Sequence, residues 1–236
     1  MSTTTSNLGM AFVDAIVAPN SLFKTYQHMS RYGHFVLLGV LLAAVLSQYF
    51  FFSNMSDQHL LNQQLAQVSD LTKSELVVVK DAMEKSLPYT GIFVGGMQAA
   101  SILLQILLIS AFVLVVAKMR PQSAVSSFKD TTALVSWCYM PVVANALGLV
   151  LLAFTASSPD LPLSVASYGS LNELVLHLDN NHPLSGWAQS LTIFDLWVVA
   201  LLAVGFKNKL ALTGKNAFVM ALAPFAIVYG VWFLIA

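Results

Sequence analysis

The sequence predicts an all-α, polytopic membrane bundle of five transmembrane helices with an extracytoplasmic helical loop. Three observations carry that expectation: scarce charge, recurrent apolar runs long enough to cross a bilayer, and lysine and arginine gathered in alternate loops. Charged residues are only 9% of the 236 and hydrophobic residues are 57%, whereas an average soluble domain is roughly 25% charged. A soluble surface needs more charge than this, and a lipid-facing surface needs almost none. The mean hydropathy of +0.74 agrees. The 11 basic and 11 acidic residues cancel, so no overall field attracts nucleic acid and none is expected as a partner.

A hydrocarbon core about 30 Å thick takes roughly 20 helical residues to cross. The first span, about 34–52, reads HFVLLGVLLAAVLSQYFFF. Others follow at about 91–117, 131–154 and 190–206, and the last at 217–236. The fourth, SLTIFDLWVVALLAVGF, is the shortest. The first run outlasts the roughly 7–15 apolar residues of a signal peptide and ends in aromatics rather than an A-x-A site. It reads as a retained helix, so residues 34–236 form one transmembrane domain and 1–33 precede it.

Orientation follows from the basic residues of short flanking loops. Lys24 and Arg31, then Lys118, Arg120 and Lys129, then Lys207, Lys209 and Lys215 all fall on one side of a five-span chain. Only Lys73, Lys80 and Lys85 fall on the other, in a loop that also carries Asp57, Asp70, Glu75, Asp81 and Glu84. The expectation is an N-terminus in the cytoplasm and a C-terminus outside.

The non-spanning parts are patterned. In residues 1–33, Met10, Phe12, Val13, Ile16, Val17, Leu22, Phe23 and Tyr26 suit a cytoplasmic interfacial amphipathic segment broken near Pro19. A flexible tail is the alternative. In the first loop Leu61, Leu65 and Val68 share one helical face, and Leu76, Val79 and Met83 another. Thr72 and Glu75 fit a capping box and Pro88 marks a stop. This predicts a helical hairpin or one bent helix that packs on the bundle or docks a partner. In the third loop Leu171, Leu174, Val175 and Leu178 suit a short helix. His177 and His182 lie near Glu173 and Asp179 but lack a tight ligand register such as H-E-x-x-H, so no metal is expected. Cys138 stands alone in an apolar run and reads as a packing residue.

Ionisable groups inside a span are costly, which makes each a functional candidate. Asp195 is about six residues into the fourth span. Gln98, Ser101 and Gln105 share a face of the second. Asn145 in the third, Gln48 near the end of the first and Tyr229 in the fifth fall at similar depth once the spans alternate in direction. The expectation is an outer-half polar cluster of Asp195, Asn145, Gln98, Gln105, Gln48 and Tyr229. Its members serve either as interhelical hydrogen-bond glue or as a site for a ligand, ion or proton. Gly91, Gly95 and Ala99 form a small-xxx-small row that packs within the chain or between copies.

No P-loop, G-x-G-x-x-G, nucleophile elbow or paired-cysteine zinc pattern occurs. No catalytic residue, metal or cofactor is therefore expected, and the protein is not expected to be an enzyme.

The stretch LGMAFVDAIVAPNSLFKTYQHMSRYGHFVLLGVLL, with Pro19 and Phe23, resembles the opening of Yip-domain proteins, the Ypt/Rab-interacting family. The third span resembles that family's aromatic-then-proline helix at Tyr139 and Pro141. The end of the chain is similar to its last two spans at Phe194, Trp197, Gly205 and the turn of small residues and lysines. The resemblance implies five spans with a cytoplasmic N-terminus. Eukaryotic members bind Rab GTPases and carry a D-L-Y-G-P motif and a long N-terminal region. Neither is present, so Rab binding is not expected and the chain looks like a short bacterial-type member of a cytoplasmic (inner) membrane. The implied role is a non-enzymatic membrane scaffold or adaptor, with the lipid bilayer and other membrane proteins or further copies as partners. The alternative is a small transporter or lipid-handling protein built around Asp195.

Overall fold

The computed structural model describes residues 8–25, 29–68 and 72–235. Tyr26, Asp70 and Ala236, all used in the sequence reading, lie outside them. The described residues are predominantly helical, with no strand among them. Four helical stretches are long and apolar enough to cross a membrane: Arg31–Ser53, Ser74–Lys118, Phe128–Thr155 and Gly214–Ile235. Two compact units share the chain: residues 1–41, 101–143 and 194–235 form one, and 42–100 and 144–193 the other.

The first unit opens with α1 (Leu8–Val17) and α2 (Pro19–Thr25). Pro19 separates them: its missing N–H costs nothing at the first position of a helix, where no partner exists anyway. Ala11 and Ala15 of α1 and Leu22 and Phe23 of α2 are buried. Met10, Val13, Ile16 and Val17 of α1 face outward, with Val17 76% exposed. Helix α1 thus seats small side chains inward and holds large apolar ones out. The beginning of α3 (Met29–Ser53), the end of α6 (Thr90–Lys118), α7 (Phe128–Cys138), α10 (Ile193–Lys209) and α11 (Gly214–Ile235) complete this unit.

Packing in the first unit depends on glycine where backbones meet. A Cβ at Gly33 would run into Ala133, and one at Gly205 would stand 3.1 Å from Leu134 and 3.4 Å from the Phe23 ring. The Phe12 ring packs tilted against Trp137, with ring centroids 5.4 Å apart. Two polar contacts join the same end of this unit. Asn208 donates to Asn20 at 3.4 Å, and the Ala124 N–H donates to the Lys209 carbonyl at 2.8 Å.

The second unit holds the rest of α3, the start of α6, α4 (Asp57–Ala66), α5 (Lys73–Ser86), most of α8 (Pro141–Thr155), and α9 (Ser185–Ser190). Its core gathers Phe51, Met55, Leu60, Leu61, Leu87 and Leu149, with Leu65 and Met83 packed against them. The Thr72–Glu75 capping box forms as the sequence predicts, and holds the Glu75 carboxyl below its usual range through the Thr72 hydroxyl and N–H. Helix α5 stops at Ser86, where Pro88 marks the stop in the sequence. Pro88 itself sits in a 3-10 turn, Leu87–Tyr89, that leads directly into α6, because a proline is tolerated in the first turn of a helix.

The third loop replaces the expected short helix with one π-helical turn, Asn172–Leu176, ended by His177 at φ 48°. Asn172 fixes it by accepting from the Leu178 N–H at 2.9 Å and donating to its carbonyl at 3.3 Å. The Leu171 N–H bonds the Leu191 carbonyl and the Ile193 N–H bonds the Gly169 carbonyl. These bonds hold Leu191 and Thr192 extended, so the apolar helix expected at 190–206 starts as α10 at Ile193.

Candidate functional site

The six polar candidates divide between the units. In the second unit, Gln48 on α3 is buried and its Nε2 donates to Gln98 Oε1 on α6 at 3.0 Å. Glycines make that bond possible. A Cβ at Gly91 would lie 2.9 Å from the Tyr49 Cα, and one at Gly95 would lie 2.8 Å from the Val45 carbonyl oxygen. The small-residue row therefore packs α6 against α3 within the chain. The Gln48 Oε1 is buried without a partner among the described residues. Asn145, half-buried on α8, offers its backbone carbonyl to the Tyr168 hydroxyl at 3.1 Å. A Cβ at Gly148 would collide with that same hydroxyl.

The first unit holds the rest. The Tyr139 hydroxyl donates to Gln105 Oε1 at 3.0 Å, and Gln105 Nε2 reaches the Ser101 hydroxyl at 3.4 Å. Tyr139 stands in the break between α7 and α8 that Pro141 imposes, since a proline cannot continue the ladder of N–H bonds. Asp195 and Tyr229 both lie within electrostatic range of Tyr139, and Asp195 of Tyr229. Gln105, Tyr139, Asp195 and Tyr229 are thus neighbours, while Gln48 pairs with Gln98 separately.

Asp195 itself sits in the first turn of α10, not six residues deep. There the helix dipole favours an acid, and Thr192-x-x-Asp195 has the spacing of a capping box. The late start of α10 explains the difference. Tyr139 is the member the polar reading missed, having been singled out only for its place before Pro141. The signal was present: a phenol in an apolar run needs a hydrogen-bond partner, and a glutamine stood on the preceding span.

The positions marked by resemblance have physical roles. Pro19 begins α2, Phe23 and Gly205 close on each other, and Pro141 begins α8. Phe194 and Trp197 are half-buried on α10. Among the described residues no group of three His, Cys, Asp or Glu side chains is placed to hold a metal ion. His182 Nδ1 instead accepts from the Leu184 N–H at 3.1 Å.

A family model described as the Yip1 domain matches residues 13–235. The chain belongs to the Yip1-domain family. That match runs from within α1 to the end of α11, so α1 and α2 belong to the Yip1 domain along with the membrane helices. No curated protein and no solved structure matches the chain.

Proposed function

We propose that this Yip1-domain protein is a non-enzymatic membrane scaffold or adaptor that crosses the bilayer five times, with α10 as the fifth crossing segment and the N-terminus in the cytoplasm. At 1.5 Å per residue α10 is about 25 Å long, and Lys207 and Lys209 at its end can reach toward headgroups. The Ala124–Lys209 hydrogen bond supports the crossing, because it brings the end of α10 to the loop that follows α6. The basic residues of these connections favour the cytoplasmic side.

The observation that carries the adaptor reading is α1. Its small face is buried, while Met10, Val13 and Val17 are 63%, 58% and 76% exposed. A helix tied down in this way presents a fixed apolar surface to lipid, to another membrane protein or to a further copy. The polar side chains of the spans meanwhile bond one another as interhelical glue. The lipid-handling or transport alternative draws on the unpartnered Gln48 Oε1 and on the proximity of Asp195 to two tyrosines.

Photo-crosslinking from Val13 and Val17 in native membranes tests the adaptor. The same discrete protein adduct is expected from both positions and is expected to survive Asp195→Asn. Adducts to lipid alone, together with a solute or lipid flux in proteoliposomes that Asp195→Asn abolishes, would establish the alternative. Topology is read separately by labelling Thr213→Cys with an impermeant maleimide. The wild-type Cys138 is buried and gives little background. Five spans place position 213 inside; labelling from outside would leave α10 short of crossing.

A further inference from the structure

We infer that the first unit carries a binding groove for the phosphate headgroup of an anionic phospholipid, formed where the connections after α6 and α10 meet. This goes beyond the adaptor reading and uses none of the α1 residues that carry it. The groove encloses about 410 Å³, within the range of small-ligand sites. Arg120 and Gln122 supply its polar wall, and Val116, Met119, Leu210 and Met220 its apolar one. No acid lines it, and Arg120 makes no ion pair among the described residues. Lys118 precedes Arg120 by two residues, and Lys207, Lys209 and Lys215 flank the connection that supplies Leu210 and Ala211. A half-buried guanidinium with surplus positive charge around it fits a phosphate monoanion, which arginine can bind through two parallel N–H bonds.

The apolar wall selects a lipid over free phosphate. Met119 stands 78% exposed beside Arg120, an arrangement with no benefit in water but suited to the first methylenes of an acyl chain. The groove is also held in shape. Ala211 at its rim adopts φ 51°, a left-handed conformation that a non-glycine residue takes only when its surroundings impose it. The adjacent Lys209 carbonyl is fixed by the Ala124 N–H. A connection free to relax would not keep that backbone.

The test uses the full chain purified in mild detergent and incubated with phosphatidylglycerol or phosphatidylcholine, with retained lipid counted by native mass spectrometry. Wild-type protein is expected to retain phosphatidylglycerol in preference to phosphatidylcholine. Arg120→Gln is expected to lower that preference about fivefold, the effect of one basic residue at a membrane surface. Gln122→Glu changes an exposed loop position that leaves folding unaffected, and it should lower retention comparably by placing a like charge in the groove. Equal retention of both lipids by wild type, or an unchanged preference in both variants, overturns the proposal. Inorganic phosphate that binds alone and displaces phosphatidylglycerol also overturns it, since the site would then take free phosphate.

Discussion

Within the second unit, the α3–α6 seam and the joint between α4 and the third loop achieve the same end by different chemistry. The seam brings backbones together at Gly91 and Gly95 and adds one side-chain hydrogen bond, Gln48 to Gln98. The joint relies on polar side chains. Asp160 accepts from the Ser56 N–H at 2.8 Å and its hydroxyl at 3.0 Å. Gln63 donates to the Leu161 carbonyl at 3.1 Å and accepts from the Leu163 N–H at 2.7 Å, and His59 contacts both Gln63 and the Leu161 carbonyl. Lipid offers no hydrophobic drive for helices to associate, so close packing must supply it. Loops outside the apolar spans have irregular backbone whose N–H and C=O groups need partners.

The largest test of this difference is at Gly95. Gly95→Leu is expected to prevent the seam from forming, since even one added carbon would meet the Val45 backbone. Gly95→Ala should cost about 1–3 kcal/mol, as overpacking does. Gly96, where an added Cβ meets nothing within 4 Å, should show the opposite sign: Gly96→Ala should stabilise by about 0.5–1 kcal/mol through helix propensity. Thermal unfolding in detergent reads all three, and a Gly95→Ala variant as stable as Gly96→Ala would break the account of the seam.

The joint is probed next, by Gln63→Ala. It removes the acceptor of the Leu163 N–H and leaves the Leu161 carbonyl with His59 alone, which should cost about 1–3 kcal/mol and accelerate hydrogen exchange at the Leu163 amide. Slow exchange at Leu163 in the variant would show that the side chain is dispensable. The Gln48–Gln98 bond should give a smaller coupling in a double-mutant cycle, about 0.6 kcal/mol and at most near 1.7. A larger coupling would mean that the seam relies on polar chemistry after all.

The seam was legible in the sequence and the joint was not, for a physical reason. Small residues at a four-residue spacing lie on one helical face, so Gly91 and Gly95 announce a close approach before any partner is known. The capping box at Thr72 is equally local. Ser56 and Asp160, by contrast, stand 104 positions apart, and no periodicity links them. The polar candidates fall between these cases. Composition singled out Gln48, Gln98 and Asp195, but depth counted along the chain depends on where each helix begins. The bonds at Gly169 and Leu171 that delay α10 to Ile193 come from the third loop. Tyr139 was noticed for its proline neighbour, while its partner Gln105 was assigned to the cluster from another helix.

The smallest expected effect separates the two regions by pH. The Ser56 N–H, with its hydroxyl, holds the Asp160 carboxyl below its ordinary range, which for an unfolded aspartate is about 3.9. A lowered folded value means that the folded joint favours the carboxylate. Its contribution is full above about pH 4 and is lost as pH falls through the folded value. Glu75, lowered by Thr72, acts in the same direction at the start of α5, so the pH response of α4 must be read in Asp160→Asn beside wild type. The seam has no carboxylate or histidine among its described contacts and should not respond. Protection of the Leu60 amide, whose N–H bonds the Ser56 carbonyl, measured against its intrinsic exchange rate at each pH, should fall on acidification in wild type and change less in Asp160→Asn. An equal pH response in both proteins would remove Asp160 from the joint and leave His59 and Gln63 to hold it.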